Sequence, residues 1–560
     1  MDFTQQTPEL NQFFSDAMQP ENWQRYWQEQ RETVQAMLDD PELRARLREN
    51  LDGTAAGTPP PAGTGQTTDD PRFADPAWQQ NHYFAMLRQS YLNNVRLCEQ
   101  TLTRQRFSSP LEERQAKFAM RHYLNAIAPT NSPLSNPEVL REILDSGGQC
   151  LQRGWQNLLQ DIADSPPELI RIRQSDPGQF AVGENIANTP GQVVFENPLL
   201  QLIEYSASTK TIHEIPLLLV PPFVNKYYVL DLDSKKSLVR WLVARGYRVF
   251  MISWVNPDSE LGDTTLDDYV CNGVIKAIEA ALAISGRETL NAAGYCTGGS
   301  LLTIAQALLA ARGRDCLASL SLLATQLDFS DPGDLGVYVG ENLQGLLREF
   351  SEAKGVFDGR LLATAFNLLR ENELFWPYVI TRYLLGKEPP AFDILHWNND
   401  STNIPQRMLN QYVQAMYRDN SLVQADALEI AGSPIDLARI TVPAYCLATS
   451  KDHIVPWQAA WRSSRYLGGP VRFVLGGSGH VAGVINPVQG SKYPHWTCER
   501  PSPDAETWRS AATENSGSWW KDWNDWLKPL SGNRIAAPEI GSDAYPPIEP
   551  APGRYVRAGC

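Results

Sequence analysis

The chain of 560 residues has few cysteines, few histidines and no long uninterrupted run of apolar residues. Its eight cysteines include no Cys-x-x-Cys pair and its seven histidines are scattered, so neither a disulfide framework nor a structural zinc site is indicated. No metal and no cofactor is therefore predicted, and the thiols are expected to be free in a reducing compartment. The lack of an apolar stretch of membrane-spanning length and of a basic, signal-type start favours a cytoplasmic protein without a transmembrane segment.

Basic residues are also in deficit. Lysine and arginine together number 49 against 64 aspartates and glutamates, which gives a net charge of -15 and a pI of about 5.1. This balance argues against a general nucleic-acid binder. A composition of 42% hydrophobic and 20% charged residues is that of a globular protein, and a chain of this length can hold a large core and more than one domain.

The pattern of polar, apolar and turn-forming residues divides the chain into four segments. Residues 1–50 are predicted to be an N-terminal helical segment, whose aromatic stripe around Trp27 either packs against the rest of the protein or docks on an apolar surface or a partner. Residues 51–77, rich in glycine, proline and small residues, are predicted to be a flexible linker. Residues 78–178 are predicted to be a helical N-terminal domain, and residues 179–560 a catalytic domain.

Strand-like and helix-like segments alternate in the catalytic domain. The predicted strands are residues 193–195, 200–205, 216–222, 248–254, 288–291, 318–324, 442–448 and 471–475. The predicted helices between them are residues 236–244, 267–284 and 301–311. Such alternation indicates a parallel sheet that is covered on both faces. From about residue 328 to 437 it gives way to helical, aromatic-rich segments, which predicts an insertion.

One stretch of this domain places a nucleophile between glycines: Gly294-Tyr295-Cys296-Thr297-Gly298-Gly299-Ser300 follows a strand and precedes an apolar helix. Glycines permit a sharp turn, and a helix N-terminus behind Cys296 favours a thiolate. A strand, such a turn and a helix define the nucleophile elbow of the α/β-hydrolase fold, here with cysteine in place of serine. The predicted fold is therefore an α/β-hydrolase domain with a mostly helical cap insertion at about 328–437, preceded by an all-α N-terminal domain.

Two polar clusters follow the last two predicted strands and supply an acid and a base. In the α/β-hydrolase fold the chain order is nucleophile, acid, histidine, each at the carboxyl end of a strand. Cys296, Asp452 and His480 satisfy this order. His453 competes for the role of base, but it directly follows the acid and its side chain is expected to point elsewhere. Asp231 and Asp258 are alternative acids, although both precede the nucleophile and are better explained as helix caps or residues that shape the entrance.

The chemistry that these residues support is acyl transfer. His480 would take the proton of Cys296, and the thiolate would attack an acyl carbonyl. The backbone N–H groups of Thr297 and of the Phe223-Val224 loop are the predicted oxyanion donors. Transfer from a thioester to a cysteine keeps the acyl group activated, which suits a transferase or polymerase better than an esterase.

Further motifs resemble those of the polyhydroxyalkanoate (PHA) synthases, in particular the single-subunit class I type. They are residues 70–73 with Trp78, 125–131, 221–232, 294–299, 392–398, 452–457, 479–487, 517–520 and 550–556. The resemblance covers residues 70 to about 557. The sequence departs from the family at Val255, where arginine is common, and residues 1 to about 65 match no family pattern.

The resemblance implies that the protein polymerises (R)-3-hydroxyacyl-CoA into polyester with release of CoA. It implies that Cys296 holds the growing acyl chain, that His480 activates it, and that Asp452 either orients His480 or helps to deprotonate the 3-hydroxyl. Ala482 fits a preference for short side chains such as 3-hydroxybutyryl. Class I enzymes are usually homodimers on the surface of cytoplasmic polymer granules, so the implied partners are the acyl-CoA, the growing polyester, the granule surface and a second copy of the chain.

Two other functions are compatible with parts of this pattern. A cysteine hydrolase of the same fold, either a polyester depolymerase or a thioesterase, would share Cys296, Asp452 and His480 but would admit water to the acyl-enzyme. A non-catalytic granule scaffold would not require the three residues at all. Finally, Trp519, Trp523 and Trp526 share one face of a predicted helix, which favours packing in the core over binding of polymer.

Overall fold

A computed structural model describes residues 19–51, 70–166, 170–339, 355–500 and 502–559. The helices are α1 Pro20–Asp39, α2 Pro41–Leu51, α3 Ala77–Gln80, α4 His82–Arg104, α5 Pro110–Ala126, α6 Pro137–Ser146, α7 Gln149–Ala163, α8 Leu238–Val243, α9 Leu266–Asp268, α10 Lys276–Ser285, α11 Thr297–Ala311, α12 Gly359–Leu369, α13 Glu371–Leu374, α14 Trp376–Tyr378, α15 Asp393–Asn399, α16 Gln406–Tyr412, α17 Trp457–Ser464, α18 Ala505–Ala511 and α19 Trp520–Leu527. Segments of π-helix cover Tyr269–Ile275, Val379–Leu384 and Val413–Arg418.

The strands are short, and all those that the structure describes lie after residue 190. They are β1 Gly191–Glu196, β2 Leu200–Tyr205, β3 Thr211–His213, β4 Leu217–Val220, β5 Val249–Trp254, β6 Leu290–Tyr295, β7 Leu317–Leu323, β8 Val356–Phe357, β9 Ile404–Pro405, β10 Leu428–Ile430, β11 Ser433–Ile435, β12 Ala444–Thr449, β13 Val471–Gly476, β14 His495–Thr497, β15 Thr513–Asn515, β16 Arg534–Ala536 and β17 Glu549–Pro550.

The chain divides into two compact units. The first unit comprises residues 1–176 together with 364–392, and the second comprises residues 177–363 and 393–560. The predicted cap insertion at about 328–437 is thus divided, because its middle part groups with the N-terminal helices. Most of the predicted linker, residues 52–69, lies outside the described residues. Residues 70–77 contain a short 3-10 turn in which Phe73 is buried.

The helical unit has its own apolar core, to which the N-terminal aromatic stripe contributes. Trp27 is buried, and its ring lies 6.4 Å from that of Tyr383, which belongs to the 364–392 segment. Trp23 contacts Phe375 and Tyr383 at 6.3 and 6.2 Å between ring centroids. Of the two interpretations of this stripe, the structure therefore shows packing within the protein for Trp23 and Trp27.

The second unit is built on an eleven-stranded sheet with the order β15-β14-β13-β12-β7-β6-β4-β5-β2-β1-β17. The strands from β13 to β5 in this order pair in parallel, and the outer strands pair antiparallel. Every residue of β4, β5 and β6 is buried, as expected for parallel strands that are covered on both faces. The predicted α/β-hydrolase fold with its preceding helical region is confirmed.

Two details of the second unit differ from the sequence prediction. The helix predicted over residues 267–284 consists of α9, a π-helical segment and α10, because one continuous apolar period does not distinguish a π-helix from an α-helix. The inserted region also contains two antiparallel strand pairs, β8 with β9 and β10 with β11, among its helices. These strands have only two or three residues, too few for a period-2 pattern to be recognised.

The tryptophans near the C-terminus pack in the core of this unit. Trp519, Trp520 and Trp523 are 0–1% exposed. The indole N–H groups of Trp519 and Trp520 donate to backbone carbonyls at residues 483–484, and that of Trp523 donates to Ser321 Oγ at 2.9 Å. The predicted packing role is confirmed for Trp519 and Trp523, while Trp526 is half-buried against the same core.

Candidate active site

Cys296 lies at the carboxyl end of the central strand β6, on a strained turn into α11. Its φ of 52° and ψ of -125° are unusual for a residue with a side chain. The turn depends on neighbouring glycines, because a Cβ added at Gly294 would lie 2.4 Å from the Cα of Gly299. A Cβ at Gly299 would in turn meet Thr325 Oγ1 at 2.0 Å. The local sequence therefore permits a geometry that projects Cys296 above the sheet, as a nucleophile elbow requires.

The start of α11 lies directly against the loop that follows β4. A Cβ at Gly298 would lie 2.3 Å from the carbonyl oxygens of both Val220 and Pro221, so only glycine allows this approach. Thr297 is the first residue of α11, and its N–H belongs to the helix turn that lacks intrahelical partners. The first turn of α11 therefore lies next to the loop after β4, and these are the two places where the predicted oxyanion donors lie.

The 223–224 loop is held by its own packing. The ring of Phe223 is buried between Tyr269 and Tyr412, at centroid distances of 5.7 and 5.4 Å. The carbonyl oxygen of Val224 accepts a hydrogen bond from the N–H of Thr402 at 3.4 Å. The Phe223 side chain thus anchors the loop.

Asp452 and His480 lie on the loops after β12 and β13, and their side chains meet. His480 Nδ1 is 2.7 Å from Asp452 Oδ2, and both residues are 9% exposed. Oδ2 also accepts from Thr449 Oγ1 at 3.1 Å, and Oδ1 accepts from the N–H groups of Ile454 and Val455 at 3.0 and 2.9 Å. With both oxygens engaged, the carboxylate is fixed in orientation and can hold the His480 ring in one position.

His480 is also close to the thiol. Its ring stacks on that of Tyr295 at 5.5 Å, and Cys296 is one of the groups that act on its charge. Burial lowers the pKa of His480, but the Asp452 carboxylate and Cys296 outweigh this effect and hold the pKa well above its ordinary value. The structure therefore joins His480 to Asp452 by a hydrogen bond and brings Cys296 close enough to act on a histidine that retains its proton readily.

The alternative acids and base have other surroundings. Asp231 is buried and accepts hydrogen bonds from Thr189 Oγ1 at 2.6 Å and from Ser237 Oγ. Asp258 caps a 3-10 turn by accepting from the Glu260 N–H at 2.9 Å. The ring that the Asp452 carboxylate contacts is that of His480, the histidine preferred over His453.

Several residues at this site were not singled out by the sequence. Thr449 and Tyr295 hold Asp452 and His480, and the cap residues Tyr412 and Tyr417 interact electrostatically with Cys296. Thr449 could have been found as a polar residue at a strand end. The two tyrosines could not, because nothing in the sequence shows which cap residues return to a strand more than a hundred residues earlier.

Within the described ranges, no group of three or more histidine, cysteine, aspartate or glutamate side chains is arranged to hold a metal ion. Cys296 is half-buried and is not part of a disulfide. None of the helices that the structure describes is long and apolar enough to cross a membrane.

The sheet order, the strained elbow and the Cys296–His480–Asp452 arrangement define an α/β-hydrolase-fold domain. Consistent with this class, residues 215–487 match the family described as the alpha/beta hydrolase fold. Residues 69–242 match a second family, described as the N-terminus of poly-beta-hydroxybutyrate polymerase (PhaC).

Similarity to known proteins identifies the family of the chain within this fold class. The chain is 42% identical over 496 residues to the poly(3-hydroxyalkanoate) polymerase subunit PhaC of Cupriavidus necator, covering 87% of this chain and 83% of the relative. It is 41% identical over 489 residues to the corresponding protein of Rhizobium meliloti, with 87% and 80% coverage. It is 36% identical over 491 residues to poly(3-hydroxyalkanoate) polymerase 1 of Ectopseudomonas oleovorans, with 87% and 86% coverage. The chain belongs to the poly(3-hydroxyalkanoate) polymerase family, a class of acyltransferases.

Proposed function

We propose that this enzyme polymerises (R)-3-hydroxyacyl-CoA with a short side chain, such as (R)-3-hydroxybutyryl-CoA, through an acyl group held on Cys296. The observation that carries the proposal is the 2.7 Å contact of Asp452 with His480, a histidine whose pKa the elbow cysteine Cys296 helps to raise. The membership of the chain in a polymerase family supports the same reaction. The preference for short side chains rests on Ala482 alone, two residues after His480.

The first step is transfer of the acyl group from CoA to the enzyme. The Cys296 thiolate attacks the thioester carbonyl, the new C–S bond forms as the bond to the CoA sulfur breaks, and His480 returns a proton to the departing thiolate. Because one thioester replaces another, the acyl group keeps its activation. The N–H groups of Thr297 and of the Phe223-Val224 loop stabilise the oxyanion.

The second step joins two hydroxyacyl units. The 3-hydroxyl oxygen of one unit attacks the thioester carbonyl of another, its proton passes to His480, and the sulfur leaves as a thiolate. An ester bond replaces the thioester bond, so the atoms and charges balance without a cofactor.

Asp452 has two possible roles in this scheme, and its contacts favour one. Oδ2 is occupied by His480 and Thr449, and Oδ1 by two backbone N–H groups. A carboxylate with these partners has little freedom to approach a substrate hydroxyl. We infer that Asp452 orients His480 and stabilises its positive charge, rather than taking the 3-hydroxyl proton itself.

The cellular setting proposed for this enzyme follows from the family resemblance. It acts in the cytoplasm as a homodimer, and its polyester product keeps it at the surface of polymer granules. Sedimentation of the purified protein with and without substrate tests both points. A dimer before substrate and granule-bound protein after polymerisation are expected.

The activity is tested by CoA release from (R)-3-hydroxybutyryl-CoA, with the product weighed and sized. The matched variants are Cys296→Ala and Cys498→Ala, since both cysteines are half-buried and free. CoA release with insoluble polyester is expected for the native protein and Cys498→Ala, with both lost in Cys296→Ala. Release of free 3-hydroxybutyrate without polymer would identify a hydrolase. If the native protein releases no CoA from any acyl-CoA tested, the result would favour the non-catalytic scaffold.

A further inference from the structure

Two tyrosines of the inserted region belong to an aromatic cluster at the carboxyl edge of the sheet. The ring of Tyr412 is 5.4 Å from that of Phe223, on the loop next to the elbow, and 6.4 Å from that of Tyr417. The ring of Tyr417 is 4.7 Å from that of Phe329, on the loop that follows β7. The cluster thus joins the inserted region to two loops at the carboxyl edge of the sheet.

The backbone explains how both tyrosines reach this place. Residues five positions apart in an α-helix are rotated by about 140° from each other. After Tyr412 the chain continues as a π-helix over Val413–Arg418, with the Asp419 N–H donating to the Gln414 carbonyl at 3.0 Å. The wider turn brings residues five apart onto nearly the same face. Segments of π-helix are rare, and they occur frequently at functional sites.

The end of the π-helix is anchored to the sheet by Asn420. Its Nδ2 donates to Asp328 Oδ1 at 3.0 Å, and its Oδ1 accepts from the Phe329 N–H at 2.8 Å. These two bonds tie the segment that carries Tyr417 to the loop after β7. Tyr417 is therefore held in position rather than left as a mobile surface group.

The two hydroxyl groups differ in their partners. The Tyr412 hydroxyl interacts with Ser300, whose own Oγ donates to the Gln326 carbonyl at 2.9 Å and which lies one turn into α11 from the nucleophile. Tyr417 has no hydrogen bond with any residue in the part of the chain that the structure describes. Burial, the Tyr412 phenol and a negative charge on Cys296 raise the pKa of Tyr417 well above its ordinary value, so its hydroxyl keeps its proton. A protonated donor thus belongs to the aromatic cluster that contains Phe223, on the loop next to the elbow.

We propose that the Tyr417 hydroxyl donates a hydrogen bond to the substrate oxygen that reacts at Cys296, and that the π-helix and Asn420 position it for this purpose. Tyr417 would then be a catalytic residue contributed by the inserted region, added to the backbone donors of Thr297 and the 223–224 loop. The proposal deepens the proposed function, on which it rests. If Tyr417 serves only to pack against Phe329, removing its hydroxyl should have no effect on the reaction rate.

The test compares Tyr417→Phe, which keeps the ring contact, with Tyr466→Phe, which removes a hydroxyl at an exposed position of the same unit. Two reactions are measured: single-turnover acylation of Cys296 by butyryl-CoA, which lacks a 3-hydroxyl, and polymerisation of (R)-3-hydroxybutyryl-CoA. Tyr417→Phe is expected to lower the acylation rate by about 100-fold, as for loss of one oxyanion donor, with KM and Tm nearly unchanged. Tyr466→Phe is expected to match the native protein.

Each outcome is informative. If Tyr417→Phe loses acylation, the thioester carbonyl oxygen is the acceptor of the Tyr417 hydrogen bond. If it loses elongation but keeps normal acylation, the acceptor is the 3-hydroxyl oxygen, and both results support the proposal. Native rates in both reactions, or a raised KM with unchanged kcat, overturn it. If Tm falls, rates are expressed per alkylatable Cys296, so that only folded protein is counted. Native protein that is acylated by butyryl-CoA but forms no polymer would refute the proposed function, while the acylation test of Tyr417 remains readable.

Discussion

The two units of this protein each contain a buried carboxylate with a cationic partner, and the two pairs differ in kind. In the helical unit, Asp161 contacts Arg382 Nε at 2.8 Å, and Tyr383 donates to the same carboxylate at 2.8 Å. In the sheet unit, Asp452 contacts His480 Nδ1 at 2.7 Å. An arginine stays charged at every working pH, whereas a histidine can accept and return a proton.

Because one carboxylate is paired with an arginine and the other with a histidine, the two pairs have different roles. Arg382 is 1% exposed in its side chain and joins two sequence-distant helical segments, residues 149–163 and 379–384, inside one unit. Its pair with Asp161 serves to specify packing. His480 instead lies between a fixed carboxylate and a thiol. The Asp161–Arg382 contact is structural because arginine is permanently charged. The Asp452–His480 contact can serve catalysis because histidine exchanges a proton beside a nucleophile.

The largest effect is expected from Asp452→Asn. The amide can occupy the same volume but cannot stabilise a positive charge on His480, so the rate of CoA release should fall by about 1,000- to 10,000-fold. Tm should change little because the shape is retained. Steady-state kinetics with (R)-3-hydroxybutyryl-CoA and thermal unfolding check both parts. A variant with near-native rates would show that Asp452 is as structural as Asp161.

Asp161→Ala should produce the opposite pattern. Among the described residues it leaves the buried Arg382 guanidinium with the largely exposed Glu388 as its anionic partner, and the free energy of unfolding should fall by about 3–5 kcal/mol. The kcat of the protein that remains folded should stay close to native. Denaturant unfolding and active-site titration of Cys296 separate the two quantities. The double variant Asp161→Leu with Arg382→Met should recover much of the lost stability, and failure to do so would contradict the assignment of the loss to an unpaired charge.

The smallest effect concerns pH. The pKa of His480 in the folded protein is raised above its unfolded value, so its contribution to stability is complete below that unfolded value, about 6.5, and is lost as pH rises through the folded pKa. The Tm difference between native protein and His480→Gln should therefore be largest near pH 6 and shrink by a few degrees toward alkaline pH. The Tm difference for Asp161→Ala should be flat over the same range. If the Tm difference between the native protein and His480→Gln instead grew with pH, the pKa of His480 would be lowered rather than raised in the folded protein.

The sequence could predict the parts of this account that are local. Strands in the parallel sheet are continuous apolar runs, and Cys296, Asp452 and His480 follow three of them in an order characteristic of the fold. The turn at Cys296 could be predicted because the glycines that permit it are adjacent in the chain.

What could not be predicted depends on contacts between distant segments. The Asp161–Arg382 pair joins residues 221 positions apart, and no periodicity marks either one. The division of the inserted region, with residues 364–392 in the helical unit, follows from such contacts. The π-helix after Tyr412 could not be predicted because it differs from an α-helix by only about one residue per turn. The contacts of Tyr417 with Tyr412 and Phe329 could not be predicted for the same reason.

The central claim is that Cys296 carries the acyl group, and mass mapping of the acyl-enzyme tests it most directly. The native protein is mixed briefly with (R)-3-hydroxybutyryl-CoA, quenched in acid and digested. The account predicts hydroxyacyl mass on the peptide that contains Cys296, none on the other cysteine peptides, and none anywhere in Cys296→Ala. Rapid CoA release with the Cys296 peptide unmodified, or with the acyl group on another residue, would contradict it.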